Sequence, residues 1–223
     1  MPIEREVAIP VDTGIASATW AMPAHARGVI VFAHASSSSR KSVRNRFVAG
    51  YLQEGGYATL LLDLLTSAEE ETEALSGYLR FDIDLLAKRL KHGIEWILRN
   101  EGGGLPIGLF GASTGAAAAM KVAAGASDVV RAVVSRGGRP DLAGDLLRSV
   151  QQPTLLIVGG DDDIVLTLNE RAMDLLPGRK DLVVVSGATH LFEEPGALER
   201  AAAHARTWFD QFLEQPPQVI VPQ

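Results

Sequence analysis

A serine lies between two glycines in the stretch Gly111-Ala112-Ser113-Thr114-Gly115, directly after the apolar run "LPIGLF". A sharp turn from a strand into a helix would hold Ser113 in strained backbone angles and lift its hydroxyl clear of a sheet, and only neighbours without bulk fit such a turn. The helix that follows would direct the backbone N–H of Thr114 at a developing oxyanion. The pattern predicts a nucleophilic serine. A close-packing turn with an incidental serine is the alternative.

A hydroxyl nucleophile needs a base to take its proton, and the base needs a carboxylate to hold its tautomer. His190 follows the run "DLVVV" and is the one histidine of five in the loop directly after the last predicted strand. Three adjacent aspartates, Asp161, Asp162 and Asp163, follow the run "PTLLIV". The order serine, aspartate, histidine at three separate strand ends predicts a catalytic triad, and the residues alone leave open which aspartate belongs to it.

The remaining histidines are interpreted as structural or solvated. They are His25, His34, His92 and His204.

Other kinds of site fit the sequence poorly. The chain has no cysteine, consecutive aspartates do not match the alternating spacing of a calcium loop, and no nearby histidine pair offers a zinc site. The segment "GLFGASTG" lacks the lysine of a phosphate-binding loop, and no Gly-x-Gly-x-x-Gly follows the first strands. We therefore expect neither a metal nor an organic cofactor.

The elements that must position these residues alternate between buried strands and helices, which predicts an α/β fold with a doubly wound, mostly parallel sheet. An antiparallel hairpin, "EREVAIPV" and "IASATWAMP", opens a single domain over residues 1–223. Loops at the carboxyl ends of such strands hold the ligand site. The acidic segment "TSAEEETEALSGY" is interpreted as a solvated loop or a helix start, and "DLAGDLLRSV" as a helix. The stretch between the predicted strands "VVRAVVSRGG" and "PTLLIVGG" is too short for a large cap over the site.

Composition excludes several partners. The 223 residues carry a net charge of -6, so no cationic field would hold nucleic acid or an anionic membrane. No basic segment leads into an apolar one at the N-terminus, and no apolar run reaches the ~20 residues that span a bilayer. We expect a cytoplasmic protein, and the sequence leaves its oligomeric state open.

Four stretches carry a resemblance to a known family: "VIVFAHASSSSR", "GLFGASTGAAAA", "LLIVGGDDDIV" and "SGATHLF". Over nearly its whole length the chain resembles the dienelactone hydrolase-like family of the α/β-hydrolase superfamily. In related enzymes the acid loop reads Gly-x-x-Asp-x-x-Val, which maps onto Gly159, Asp162 and Val165. The resemblance therefore implies that Asp162 is the triad acid and that the fold is an α/β-hydrolase fold.

This chain departs from the family pattern at two places. Dienelactone hydrolases proper carry a cysteine where this chain has Ser113, so the resemblance implies a serine esterase. The family's early loop usually begins His-Gly, whereas this chain has His34-Ala35. The second oxyanion donor is accordingly placed at the backbone N–H of Ala35 or Ser36.

A basic cluster follows the early loop, in "SSSSRKSVRNR". One interpretation is a charged surface held by salt bridges. The other is recognition of a substrate carboxylate or phosphate by Arg40 and Arg44, together with Arg136 and Arg139 from "SRGGRP" at another strand end.

The sequence thus predicts a serine hydrolase that cleaves a small carboxylic ester, thioester or lactone through an acyl-enzyme. A non-catalytic ligand-binding or regulatory module with the same fold is the alternative. The pocket is expected to be open. Leu75, Tyr78 and Phe81 could line it, and core packing is the other interpretation of these three residues.

Overall fold

The computed structural model describes residues 2–34, 39–100, 104–126 and 128–213. Eight strands form one sheet: β1 (Ile3–Val11), β2 (Gly14–Met22), β3 (Gly28–Ala33), β4 (Tyr57–Leu62), β5 (Ile107–Ala112), β6 (Val130–Arg136), β7 (Thr154–Gly159) and β8 (Lys180–Val185). Their order across the sheet is β1-β2-β4-β3-β5-β6-β7-β8. β1 pairs antiparallel with β2, and β2 with β4, while every other neighbouring pair is parallel. The predicted mostly parallel sheet with an N-terminal hairpin is confirmed.

Helices connect the parallel strands and cover both faces of the sheet. They are α1 (Val43–Glu54), α2 (Ser67–Ser76), α3 (Ile83–Arg99), α4 (Thr114–Gly125), α5 (Asp163–Leu175) and α6 (Ala197–Phe212), with short 3-10 helices at Leu79–Phe81 and Pro140–Ser149. Side chains of α1 and α6 pack on one face, and those of α3 and α4 on the other. Among the described residues no helix combines the length and apolarity that crossing a membrane requires.

The central strands are apolar throughout because both of their faces are covered. β3, β4, β5 and β7 are buried along their whole length. In β3, Val29 and Val31 belong to the core on one side of the sheet, and Ile30 and Phe32 to the core on the other side. Alternating side chains of one strand thus fill two cores, which fixes the register of the strand. The carboxyl ends of these strands are held at a common edge.

The first two turns of helix α4 are enclosed on all sides. Every residue from Thr114 to Met120 is buried, and the segment is mostly alanine. Small side chains let this helix lie close against β3, β5 and the segment Pro140–Ser149. The start of α4, directly after the predicted nucleophile, is therefore fixed by packing on several elements.

Two sequence interpretations change in detail. The acidic segment forms a true helix, α2, which begins at a capping box: Thr66 Oγ1 accepts from Glu69 N–H, and Thr66 N–H donates to Glu69 Oε2 at 2.8 Å. The prediction of a continuous helix over "DLAGDLLRSV" is wrong. Pro140–Ser149 is a 3-10 segment interrupted at Gly144, whose φ of 57° no α-helix accommodates.

Candidate active site

Ser113 lies at a strained turn between β5 and α4. Its φ is 52° and its ψ -129°, a combination that costs a residue with a side chain about 1–3 kcal/mol. A Cβ atom on Gly111 would lie 2.5 Å from Ala116 Cα, and one on Gly115 would lie 2.1 Å from Ala33 O. Both motif positions therefore require glycine because backbone approaches them too closely for any side chain.

The N-terminus of α4 adjoins this serine. Ser113 precedes the helix, and Thr114 is its first residue. The first N–H groups of a helix have no partner within the helix, and they carry the positive end of its dipole. Thr114 N–H is therefore placed to stabilise negative charge that develops next to Ser113. The other two predicted oxyanion donors, Ala35 and Ser36, lie outside the described residues.

His190 and Asp162 are in direct contact. His190 Nδ1 lies 2.7 Å from Asp162 Oδ2, a contact in which the ring N–H donates to the carboxylate. Asp162 precedes α5 but its side chain does not cap that helix, so the carboxylate remains available to the imidazole. Asp161 and Asp163 are exposed to solvent. The structure thus brings together the predicted base and one of the three candidate acids.

The loops that carry these two residues pack on one another. Asp161 N–H donates to Ala188 O at 2.9 Å. A Cβ atom on Gly159 would lie 2.3 Å from Ala188 O and 2.6 Å from Thr189 O. The glycine that opens the acid loop is therefore what allows the histidine loop to approach so closely.

Ser113 and His190 border the same short segment after β6. Arg139 N–H donates to Ser113 O at 2.9 Å, and a Cβ atom on Gly137 would lie 3.2 Å from His190 O. Asn169 of α5 donates to Gly138 O at 2.9 Å and so fixes this segment. No hydrogen bond joins Ser113 to His190 in the described part of the chain. Such bonds commonly form only when substrate is bound.

Arg40, a predicted substrate-binding residue, is held by two carboxylates. Its Nη1 lies 2.7 Å from Asp63 Oδ2, its Nη2 lies 2.7 Å from Glu6 Oε2, and its backbone N–H donates to Asp63 Oδ1 at 2.7 Å. The hydrogen bond from Arg40 outweighs burial and lowers the pKa of Glu6 below its usual value. These contacts favour the salt-bridge interpretation for Arg40.

Arg44 and Arg136 differ from Arg40 in their surroundings. Arg44 Nη1 lies 2.8 Å from Glu193 Oε1, which joins α1 to the histidine loop. Arg136 ends β6 and is 8% exposed, with its Cζ 5.8 Å from the centre of the Phe110 ring and 5.9 Å from that of Phe192. Burial, followed by the charge of Arg44, lowers the pKa of Arg136 to about 10. Arg136 therefore remains a cation at neutral pH.

The predicted pocket-lining residues are on the surface. Leu75 is 92% exposed, Tyr78 68% and Phe81 56%, so their interpretation as core residues is wrong. Tyr78 and Phe81 line a cavity of about 310 Å³ together with Lys121 and Leu146. Tyr78 precedes and Phe81 ends the short 3-10 turn Leu79–Phe81. Both rings are more than half exposed in the described structure.

Four residues that support the site were missed by sequence reasoning. They are Asp63, which binds Arg40; Asn45, which is fully buried beside Arg136; Asn169; and Phe192, whose φ is 57°. Only Asp63 carries a signal in the sequence, because it directly follows the strand "YATLLL" at the edge where ligand sites form. The described residues contain no cluster of three acidic or histidine side chains suited to a metal ion.

Known proteins match most of the length of this chain. The family model described as "Dienelactone hydrolase family" matches residues 12–215. A solved dienelactone hydrolase from Anabaena variabilis is 49% identical, with a TM-score of 0.92, and the match covers 95% of this chain and 99% of that chain. The Pyrococcus furiosus esterase Pf2001 is 18% identical, with a TM-score of 0.74 over 95% of this chain and 94% of its own, which shows a shared fold.

Curated relatives from two strains of Mycobacterium tuberculosis carry the name "Putative phosphoribosyl transferase". Each is 56% identical over 196 residues, which make up 87% of this chain and 43% of the relative. The chain thus spans less than half the length of the curated relatives it matches.

Proposed function

This chain belongs to the dienelactone hydrolase family, and from that premise we propose that it is a serine hydrolase acting on a small carboxylic ester, thioester or lactone. The observation that carries the proposal is the contact of 2.7 Å between His190 and Asp162, on a loop that borders the same segment as the strained Ser113. A base held by a carboxylate beside a serine on a helix N-terminus is the arrangement that acyl transfer requires.

In the first half of the reaction, Ser113 Oγ attacks the substrate carbonyl carbon as its proton passes to His190 Nε2. Asp162 holds the proton on Nδ1 and stabilises the imidazolium that forms. The carbonyl oxygen becomes an oxyanion beside Thr114 N–H at the start of α4. When the tetrahedral intermediate collapses, an alcohol or thiol leaves with the proton from Nε2, or a lactone ring opens to a protonated hydroxyl that stays attached to the acyl group, and in each case the acyl group remains on Ser113.

In the second half, water takes the place of the leaving group. The water oxygen attacks the acyl carbon while His190 Nε2 accepts a proton from the water. When the bond between the acyl carbon and Ser113 Oγ breaks, Nε2 returns the proton to Oγ. The products are the free acid and the original enzyme. The histidine side chain is 42% exposed, which is compatible with entry of water from the open side of the site.

The direct test is covalent labelling followed by kinetics. We expect a fluorophosphonate to add once per chain at Ser113, with the mass increase located by peptide mass spectrometry. Short 4-nitrophenyl esters should be hydrolysed, and Ser113→Ala should reduce the rate by several orders of magnitude. Ser186→Ala, at an exposed serine on the loop before His190, is the matched control and should leave both readouts unchanged. A wild-type chain that neither labels nor turns over esters or thioesters would instead be the non-catalytic binding module.

The name of the curated relatives favours a second candidate, transfer of a phosphoribosyl group. More than half of each relative lies outside the part shared with this chain, so that name describes a longer protein. Release of pyrophosphate from phosphoribosyl diphosphate that depends on an added nitrogen-base acceptor, joins the phosphoribosyl group to that base and is unaffected by Ser113→Ala would support the transferase. Its absence, together with ester turnover, supports the hydrolase.

A further inference from the structure

Asn169 is a fully buried amide on α5, the helix that follows the acid loop. Its Nδ2 donates to Val165 O at 2.8 Å, within the helix, and to Gly138 O at 2.9 Å, in the segment after β6. Both N–H groups of the amide are therefore used. Its Oδ1 is buried as well, and among the described residues it has no hydrogen-bond partner.

Local structure does not favour an asparagine at this place. Asparagine is a poorer helix former than alanine or leucine, and a buried carbonyl oxygen that accepts no hydrogen bond is unfavourable. The other two buried residues of α5, Val165 and Ala172, are apolar. Packing therefore does not require an amide at position 169. What the amide adds is the bond that leaves the helix and reaches Gly138 O.

Gly138 O lies in the middle of the segment Gly137–Arg139, which is attached at both ends. Gly137 N–H donates to a carbonyl oxygen of β7 at 2.8 Å, and Arg139 N–H donates to Ser113 O at 2.9 Å. The amide from α5 thus holds the centre of a short segment whose far end is bonded to the proposed nucleophile.

Gly138 itself is buried and closely packed. An added Cβ atom would lie 2.0 Å from Ser135 Oγ and 2.5 Å from Ala116 Cβ. A peptide carbonyl in such a place cannot exchange a lost donor for bulk water, and an unpaired buried carbonyl is costly. We therefore expect the segment to move when the amide of Asn169 is removed.

The same segment borders the proposed base. A Cβ atom on Gly137 would lie 3.2 Å from His190 O and 3.8 Å from His190 Cε1. Within the described ranges Ser113 and His190 share no hydrogen bond, so their separation depends on the backbone that both of them border. Asp162, which contacts His190, immediately precedes α5. One helix thus begins at the acid and holds the segment between the nucleophile and the base.

We propose that Asn169 is a positioning residue, which sets the place of Ser113 relative to His190 by holding Gly138 O. The inference rests on the proposed hydrolase function. Because Asn169 is fully buried, it does not touch the substrate. Its loss should therefore reduce the rate of the chemical steps and leave substrate binding nearly unchanged.

Gln152 offers a matched control. It is 5% exposed, its Nε2 donates to Ala123 O at 2.9 Å, and its Oε1 also lacks a partner in the described part of the chain. Ala123 lies near the end of α4, whereas Ser113 precedes the start of that helix. Gln152→Leu thus removes the same kind of bond from the same kind of surroundings, away from the site.

The test is hydrolysis of 4-nitrophenyl acetate below the Tm of each variant. Asn169→Leu should lower kcat about 10- to 100-fold, since misplacement of a reacting group by about 1 Å has an effect of this size, and should change KM less than about threefold. The rate of fluorophosphonate labelling should fall with kcat. Gln152→Leu should lower the Tm by a comparable amount and keep kcat within about twofold of wild type. Equal losses of kcat in the two variants, or no loss in Asn169→Leu, would overturn the proposal.

Asn169→Ser separates the two bonds and carries the test if Asn169→Leu does not fold. A serine hydroxyl can donate to the carbonyl four residues earlier, Val165 O, but is too short to reach Gly138 O. We expect this variant to lose about as much kcat as Asn169→Leu. A kcat equal to that of wild type would overturn the proposal, because the bond to Gly138 O would then be dispensable. A wild type that hydrolyses no ester and is not labelled would overturn the hydrolase function, and with it this role of Asn169.

Discussion

His190 Nδ1 lies 2.7 Å from Asp162 Oδ2, while the aspartates on either side of Asp162 are exposed. The contact joins two loops whose backbones are already bonded through Asp161 N–H and Ala188 O. The imidazole is therefore held at Nδ1, and Nε2 is the nitrogen that would exchange a proton in the proposed reaction. Of the three adjacent aspartates, Asp162 contacts the imidazole of His190, whereas Asp161 and Asp163 are exposed to solvent.

Replacing Asp162 with asparagine should separate these aspartates functionally. Asp162→Asn keeps the shape of the side chain but no longer fixes the tautomer of His190 or stabilises the imidazolium, so kcat for ester hydrolysis should fall about 10⁴-fold. Asp161→Asn and Asp163→Asn are matched controls at exposed positions and should stay close to wild type. A comparable loss in all three variants would show that the charge of the loop, rather than the contact with His190, matters.

Replacing Ser113 tests the strain at the turn. Ser113→Gly should raise the free energy of unfolding by about 1 kcal/mol, because relief of the positive φ outweighs the extra freedom that glycine gives the unfolded chain. Ser113→Ala keeps the strain and should be less stable than Ser113→Gly. Urea unfolding of the two variants gives the comparison, and equal stabilities would contradict a strained turn.

The close approach at Gly115 predicts a steric penalty. An added methyl group would lie 2.1 Å from Ala33 O and 2.9 Å from His34 N, so Gly115→Ala should push α4 from the end of β3. We expect a loss of about 3 kcal/mol in the free energy of unfolding and weaker esterase activity. Gly125→Ala is the control in the same helix, since among the described residues no atom outside its chain neighbours and its own helix backbone lies within 4 Å of the added Cβ. Its stability should stay within about 1 kcal/mol of wild type.

Glu69 predicts a loss of stability in acid. Burial opposes its ionisation, but hydrogen bonds from Thr66 N–H, Thr13 and the fully buried Arg89 outweigh burial and lower the pKa of Glu69. Because its pKa is lower in the folded state, its stabilisation is complete above the ordinary carboxyl pKa of about 4.3 and disappears as the pH falls through the lowered value.

The variant Glu69→Gln should therefore be less stable than wild type by about 2 kcal/mol at neutral pH. The difference should shrink steadily as the pH is lowered below about 4. Chemical denaturation across this pH range measures it, with Glu71→Gln at a neighbouring exposed position as the control. A difference that does not depend on pH would point to packing rather than to the charge of Glu69.

The sheet could be predicted from the sequence because burial on both faces leaves a direct signal. Runs such as "VIVFA" and "LLIVG" are apolar at every position, and the helices between them are long enough to return the chain for a parallel partner. The turn at Ser113 could also be predicted, since Gly111 and Gly115 meet backbone atoms that only glycine tolerates.

Other features depend on distant contacts or on signals that were overlooked. Arg40 meets Glu6 and Asp63, which lie 34 and 23 residues away, so no local pattern shows that its charge is already compensated. The start of α2 did carry a signal, the spacing of Thr66 and Glu69 that forms a capping box. Gly144 likewise marked the point at which a helix could not continue.

The enclosed segment Thr114–Met120 of α4 has a consequence for where the chain can tolerate substitution. Between Thr114 and Met120 there is no exposed position at which a larger side chain could be accepted. Larger side chains are accepted more readily at exposed positions such as Tyr78 and Leu146, which line the cavity beside Lys121 of the same helix. A library that spares Thr114–Met120 and varies that rim would therefore leave the packing around the turn at Ser113 unchanged.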